Sequence, residues 1–252
     1  MESVVTACVL IIGNEILSGR TQDSNLSFLA RRLGELGIRV REARVIPDIP
    51  DEIIAAVNAC RARYDYVFTT GGIGPTHDDI TSECVARAFD VPLEQNAEAV
   101  RRLLAHYGDP AKLNEARLRM AAIPQGAVLV DNPISAAPGY QIGNVFVLAG
   151  VPSIMQAMFD QIAPRLRGGA PVRARTVTCR IPEGTIAAGL GALQDRHPGL
   201  DIGSYPYFGT SGFGVSLVLR GTDEAELDRA TDELCELVRS LGGEPIVTMG
   251  QA

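Results

Sequence analysis

Tryptophan is absent from this 252-residue chain, lysine occurs once among 23 basic residues, and no two cysteines stand at C-x-x-C spacing. Each absence excludes a class of function. A Walker-type phosphate loop needs Lys directly before Ser or Thr, and Lys112 is followed by Leu113, so that motif is missing. Cys8, Cys60, Cys84, Cys179 and Cys235 are odd in number and far apart, and His77, His106 and His197 show no zinc-ligand spacing. They predict reduced core thiols in a cytoplasmic protein. Long apolar runs are lacking too: Val4 to Ile12 follows Glu2 with no positive segment before it and falls far short of the roughly 20 residues a membrane helix requires. Neither export nor a membrane partner is expected. With 30 acidic against 23 basic residues and a net charge of -7, the chain lacks the positive field that selects nucleic acid.

What is present is enough apolar sequence, 46%, to bury a substantial core. Short β-branched runs at Ala7–Ile12, Ile38–Ile46, Tyr64–Thr70, Val128–Val130 and Val145–Ala149 read as strands. Between them, helices are predicted at Ser24–Leu36, Pro50–Arg61, Ile80–Phe89, Ala97–His106, Ala111–Ala122 and Ser153–Arg165, with Gly37 as a C-terminal stop for the first. The alternation predicts an α/β fold with a mostly parallel sheet covered by helices on both faces. Arg167-Gly168-Gly169-Ala170-Pro171 breaks any helix and marks a boundary. Domains are therefore expected at 1–168 and 169–252, the second a small α+β unit. Its pattern reads strand Ala174–Ile181, helix Ile186–Arg196, strands Asp201–Tyr207 and Gly214–Arg220, helix Glu224–Leu241 and a last strand near Ile246.

The strongest local feature is the run Thr69 to Thr81, with Thr70, Gly71, Gly72, Gly74 and Pro75 between a strand and a helix. Ligands of open α/β sheets bind at the carboxyl ends of strands, where glycines let backbone N–H groups approach a phosphate. A tight turn needing only positive φ reads the same way, and the spacing is not G-x-G-x-x-G, because position 77 is His. Asp78 and Asp79 follow the loop, where they would repel a phosphate unless a divalent cation (Mg, Mn or Co) lies between; the other role for Asp78 is to cap the next helix. Gly13, Asn14, Glu15 and Ser18 end the first strand and share its edge with the loop. Asp23 and Ser24 suit helix capping. Asp48 closes the second strand as a third carboxylate or as a turn residue. Ser135, Ala136, Pro138 and Gly139, and Gly150 and Pro152, flank the Val145–Ala149 strand with small residues that admit a ring or phosphate, or else make two ordinary turns.

In this order, Gly13 to Leu17 with Asp23-Ser24-Asn25, Thr69 to Thr81, Asn114 to Gly126, Asn132 to Gly139 and Ala149 to Ser153 resemble the molybdopterin-binding fold of MoaB/Mog proteins, most closely the N-terminal part of the competence/damage-inducible CinA proteins. The 80 residues after the boundary resemble the small α+β segment that follows it there, entered through Ile181 to Ala187. The resemblance implies a three-layer α/β/α domain whose glycine loop holds a pterin or nucleotide phosphate. It implies that Asp79 and Asp48 are the acidic groups of adenylyl or pyrophosphate chemistry, with Asp79 and Asp78 toward a metal. Arg119 stands where those sequences usually carry Lys, which keeps charge but not geometry at a phosphate, and Asn114 joins it as a ligand contact. The family activity implied is metal-assisted hydrolysis of a dinucleotide pyrophosphate such as ADP-ribose or FAD. A molybdopterin- or nucleotide-binding protein without turnover is the other expectation. The deamidase activity of the CinA amidase domain is not expected, and association into a homo-oligomer is.

Overall fold

The computed structural model describes residues 4–209 and 212–251, and they divide into two compact units after Gly169. The first unit opens with β1 (Val5–Ile12), the short helix α1 (Asn14–Leu17), α2 (Asn25–Glu35), β2 (Ile38–Ile46), α3 (Pro50–Arg63), β3 (Tyr66–Thr70) and α4 (Thr81–Ala88). It continues through β4 (Leu93–Gln95), α5 (Ala97–Tyr107), α6 (Glu115–Leu118), β5 (Ala122–Pro124), β6 (Val128–Val130), β7 (Gly139–Ile142), β8 (Val145–Leu148) and α7 (Pro152–Ile162). The main sheet runs β2-β1-β3-β8-β7-β6, parallel through its first four strands and antiparallel through the last two, while β4 and β5 pair apart from it.

β1 shows why the sheet is central. Its alternate residues Cys8, Leu10 and Ile12 pack with Ile53, Val57 and Cys60 of α3 and Val85 of α4, whereas Ala7, Val9 and Ile11 pack with Leu29 and Leu33 of α2 and Met155 and Phe159 of α7. A strand buried on both faces reads as a continuous apolar run, because neither side is left for water. The result is three layers, as the alternation predicted. α2 ends at Gly37, whose φ of 73° is the left-handed conformation that stops a helix.

One sequence expectation fails. No continuous helix covers Ala111–Ala122. Leu113 leaves helical space with ψ of 73°, the Asn114 side chain caps α6 by accepting from Arg117 N at 3.0 Å, and single 3-10 turns flank that four-residue helix. An Asn three residues ahead of a free N–H restarts the chain instead of continuing it.

The second unit consists of β9 (Arg173–Cys179), α8 (Glu183–Arg196), β10 (Asp201–Gly209), β11 (Gly212–Gly221), α9 (Glu224–Ser240) and β12 (Ile246–Gln251). Its sheet is antiparallel in the order β10-β11-β9-β12, the split β-α-β order of ferredoxin-like units. Val177, Val215, Leu217 and Leu219 on one sheet face bury against Ile186 and Leu193 of α8 and Leu227, Leu234 and Val238 of α9. No helix among the described residues is long and apolar enough to cross a membrane.

Candidate functional site

The carboxyl ends of β1, β3 and β8 lead into three loops, and these surround a cavity of about 560 Å³ in the first unit. The loop after β3 supplies its floor. Gly71 has φ of 103°, and a Cβ there would stand 2.1 Å from the Ile12 carbonyl oxygen; Gly72 has φ of 68°, and its Cβ would meet the Thr81 hydroxyl. No L side chain fits either place. Thr81, fully buried at the start of α4, pins the loop by donating its Oγ1 to Gly71 O and its N–H to Gly72 O, both at 3.0 Å. Hydrogen bonds and sterics together fix the backbone of this loop.

Acidic groups dominate the cavity. Glu15, Asp48, Asp78 and Asp79 all border it, and no Lys, Arg or His does. Asp48 Oδ2 accepts from the N–H of Asn14 at 2.8 Å, tying β2 to the start of α1. Asp79 Oδ2 accepts from Thr76 N at 2.8 Å and from the Thr76 hydroxyl at 2.5 Å, so the carboxylate is held across the loop. Asp78 competes with Asp79 for the single Thr76 hydroxyl proton, and its carboxyl is kept below its ordinary value by that hydroxyl first, then by a backbone N–H, with the neighbouring His77 adding to it. Asp78 is mostly exposed and His77 almost wholly so, 4.0 Å away. Among the described residues no three His, Cys, Asp or Glu side chains gather closely enough to hold a metal ion by themselves.

Most of the residues expected at the site do border this cavity: Gly13, Glu15, Gly71, Gly72, Gly74, Pro75, Ser135, Gly150 and Pro152, with the three aspartates. Several stand elsewhere. Asn14 contributes through its backbone N–H to Asp48. Thr70 is buried beneath the loop, Gly139 is buried in β7, and Ala136 opens on a different surface hollow beside Arg102 and His106. Asn114 caps α6 and borders neither this cavity nor a smaller neighbouring one that Arg119 and Pro138 line.

Asn132, Thr76 and Thr21 line the cavity without having been assigned a role from sequence. Asn132 is the most informative of them. Its Oδ1 accepts from Ile134 N and Ser135 N, and its Nδ2 donates to Ser135 Oγ at 2.7 Å and Ala137 O at 2.8 Å, so one buried side chain shapes the whole Ser135–Ala137 rim. An Asn immediately before Pro is the signal that could have found it. Asp23 caps α2 as expected, accepting from Leu26 N at 2.9 Å; Ser24 makes no side-chain cap. Asp78 does not cap α4 with its carboxylate either: the Ile80 N–H goes to the Asp78 carbonyl at 2.9 Å, and among the described residues no N–H of α4 is given to the Asp78 side chain.

Comparison with known proteins identifies the family of this fold. Residues 8–168 match the family model described as "Probable molybdopterin binding domain", and residues 171–242 match "FAD synthase, middle domain". A protein of Pyrobaculum arsenaticum is 36% identical over 265 aligned positions, covering 96% of this chain and 98% of its own. A "CinA-like protein" of Myxococcus xanthus is 33% identical over 209 positions, covering 77% of this chain but 50% of its own. Among solved structures, CinA of Thermoplasma acidophilum, described as of unknown function, is 36% identical with a TM-score of 0.61, covering 65% of this chain and 99% of its own.

Proposed function

The chain belongs to the family of probable molybdopterin binding domains, and from that premise we propose that its large cavity binds a phosphorylated nucleotide or pterin and that the site hydrolyses a dinucleotide pyrophosphate with a divalent metal. The observation that carries the reading is the contrast between floor and walls. The floor is a glycine loop whose Gly71 N–H goes to Leu148 O at 3.2 Å and whose Gly72, Ile73 and Gly74 N–H groups have no partner among the described residues, whereas four carboxylates and no cation border the same space. A bare polyphosphate would be repelled there.

The donor set fits a cation that arrives with its ligand. Magnesium-type ions use one or two protein carboxylates together with substrate phosphate oxygens, and the cavity offers Asp79, Asp78 and Asp48 but no closed set of three. When bound, such an ion supplies charge neutralisation and polarises a phosphoryl oxygen. Within the protein, Thr76 holds Asp79 in one orientation, the Asn14 N–H holds Asp48, and the Gly71–Gly74 backbone orients the phosphates. Arg119, bordering the adjoining cavity with Asp79, steadies charge that develops on the far phosphate. The description of the second matched segment names FAD, which supports including FAD among the dinucleotides to be offered.

Binding without turnover is the second reading, and one observation favours it: the Asp79 carboxylate already has two internal donors, so it is partly satisfied without metal. The test is a thermal-shift panel of ADP-ribose, FAD, NAD, AMP and ATP, each with and without magnesium, manganese or cobalt, followed by product analysis. Ligand at about 100 times its dissociation constant stabilises the folded state by roughly 2.7 kcal/mol. A metal-dependent shift with release of AMP, lost in Asp79→Asn, is the expected outcome. Metal-independent stabilisation with intact ligand would leave the binding reading standing, and no shift with any nucleotide would remove the nucleotide.

A further inference from the structure

Two thiols of the first unit touch. Cys8, in β1, and Cys60, in the last turn of α3, are both fully buried, and their sulfurs stand 3.2 Å apart. Two thiolates on one tetrahedral zinc, each about 2.3 Å from the metal, keep roughly 3.7 Å between them, and among the described residues no third ligand gathers with this pair. A metal needs the sulfurs farther apart. A disulfide needs them nearer, at about 2.05 Å, so a shift of about 1 Å separates the contact from a bond.

The surroundings are not those of an ordinary apolar pair. β2 slips by one residue against β1 between Ala7 and Cys8, which puts Glu42 in register with Cys8 and Arg44 with Leu10. Glu42 accepts from Arg44 Nε at 2.6 Å and from the hydroxyl of Tyr64, at the end of α3, at 2.6 Å, with Arg63 at 3.5 Å. A charged cluster therefore spans β2 and the end of α3 beside the thiols, and its Glu42 and Arg44 side chains reach water. Within the pair the roles are unequal. The Cys8 S–H donates to the Cys60 sulfur, which lowers the Cys60 thiol and raises that of Cys8, and Arg44 favours the Cys60 thiolate further. Cys60 is the nucleophile and Cys8 the thiol that resolves.

We propose that Cys8 and Cys60 form a modification site, a dithiol that a peroxide closes to an intramolecular disulfide. The Cys60 thiolate attacks one peroxide oxygen, the O–O bond breaks, and Cys60 becomes a sulfenic acid as hydroxide leaves. That hydroxide takes the Cys8 proton. The Cys8 sulfur then attacks the Cys60 sulfur, and the hydroxide released as the S–O bond breaks takes the proton that Cys60 gave up on ionising. Two thiols are oxidised, one peroxide is reduced, and two waters form. Both sulfurs are shut from bulk water, so a small neutral oxidant admitted by local opening is the class that reaches them. Neither residue borders the cavity at the glycine loop, and the modification is independent of the function proposed above.

Peroxide treatment of the reduced full chain under native conditions, followed by alkylation in denaturant and peptide mapping, tests it. The expected product is lighter by about 2 Da, carries a cross-linked peptide joining Cys8 to Cys60, alkylates only at Cys84, Cys179 and Cys235, and regains all five thiols with dithiothreitol. Cys84, as deeply buried in the same core and pushed up to about 11 by that burial, is the internal control and should stay a thiol. Cys8→Ala should stop the reaction at the sulfenic acid, trapped on Cys60 as a stoichiometric adduct of a 1,3-diketone, whereas Cys60→Ala should leave Cys8 unoxidised. Should either variant fail to fold, the wild-type map decides alone. Products heavier by multiples of about 16 Da without a cross-link would overturn the proposal, as would a cross-link between other cysteines or oxidation of Cys84 at the rate of the pair. A bond between Cys8 and Cys60 that forms only in denaturant would overturn it too, because the folded contact would then have no part in it.

Discussion

The two units contain cavities of nearly equal size, about 560 Å³ in the first and about 580 Å³ in the second, yet four carboxylates border the first and one the second. The polar groups bordering the cavity of the second unit are consumed by its own fold. Gln194 donates to Leu200 O and accepts from Ile202 N, and Ser204 donates to Glu183. The difference follows from the sheets. Parallel strands return through helices, so the loops at their carboxyl ends are free to carry a site, whereas β10 and β11 pair antiparallel and their adjoining residues hold the sheet and helix together. Volume is a poor marker of function; polar groups left unspent are a better one.

Each unit has its own core, so two thermal transitions are expected, and the largest effect should come from the unit without the site. Leu217→Ala, at a fully buried position of β11, should cost about 2–5 kcal/mol, lowering the transition of the second unit in calorimetry while ligand affinity stays unchanged. A loss of binding would break the comparison. Gly71→Ala should cost about 1–3 kcal/mol in backbone strain, more if Ile12 cannot give way, and should lower the first transition and abolish ligand-induced stabilisation together. Helix caps offer a matched pair: Asn96 accepts from Ala99 N in the first unit and Asp223 from Glu226 N in the second. Replacing either by Ala should cost about 1 kcal/mol, and each should move only the transition of its own unit.

The smallest effect expected is one of acidity. Glu98, on α5 of the first unit, is held at about 2 against an ordinary 4.5, by Arg101 first and then Arg102. Because the folded value is the lower one, this contribution is complete above about pH 4.5 and fades as pH falls toward 2. Glu98→Gln should flatten that part of the acid dependence in the first transition and leave the second alone. Solvent screening at so exposed a pair keeps the effect small, and an equal change in both transitions would contradict the separation of the units.

The layered fold was legible because burial on both faces writes itself into sequence as unbroken apolar runs, as in β1, and because Gly37 marks the end of α2. The short strands β4, β5 and β7, of three or four residues each, carry too little pattern to be seen. The glycine loop stood out in the sequence as three glycines after a buried strand, a pattern that a tight turn needing only positive φ writes equally well. Asn114 shows where such reading stops. An Asn that caps a helix and an Asn that meets a ligand present the same residue in the same kind of loop, and only the bond to Arg117 N separates them. Arg119 was placed with the large cavity on family resemblance, and three-dimensional packing puts it on the smaller neighbouring cavity beyond Asp79.

All five cysteines are buried and unpaired, three of them (Cys8, Cys60, Cys84) in the first unit and two (Cys179, Cys235) in the second. A thiol reagent can therefore reach them only when a unit opens. Under native conditions the mass of the intact chain would rise in steps, and a step of three modifications reports a different event from a step of two. The molecule thus carries its own pair of clocks, one in each unit, and a ligand that belongs to the first should slow only the clock that counts to three.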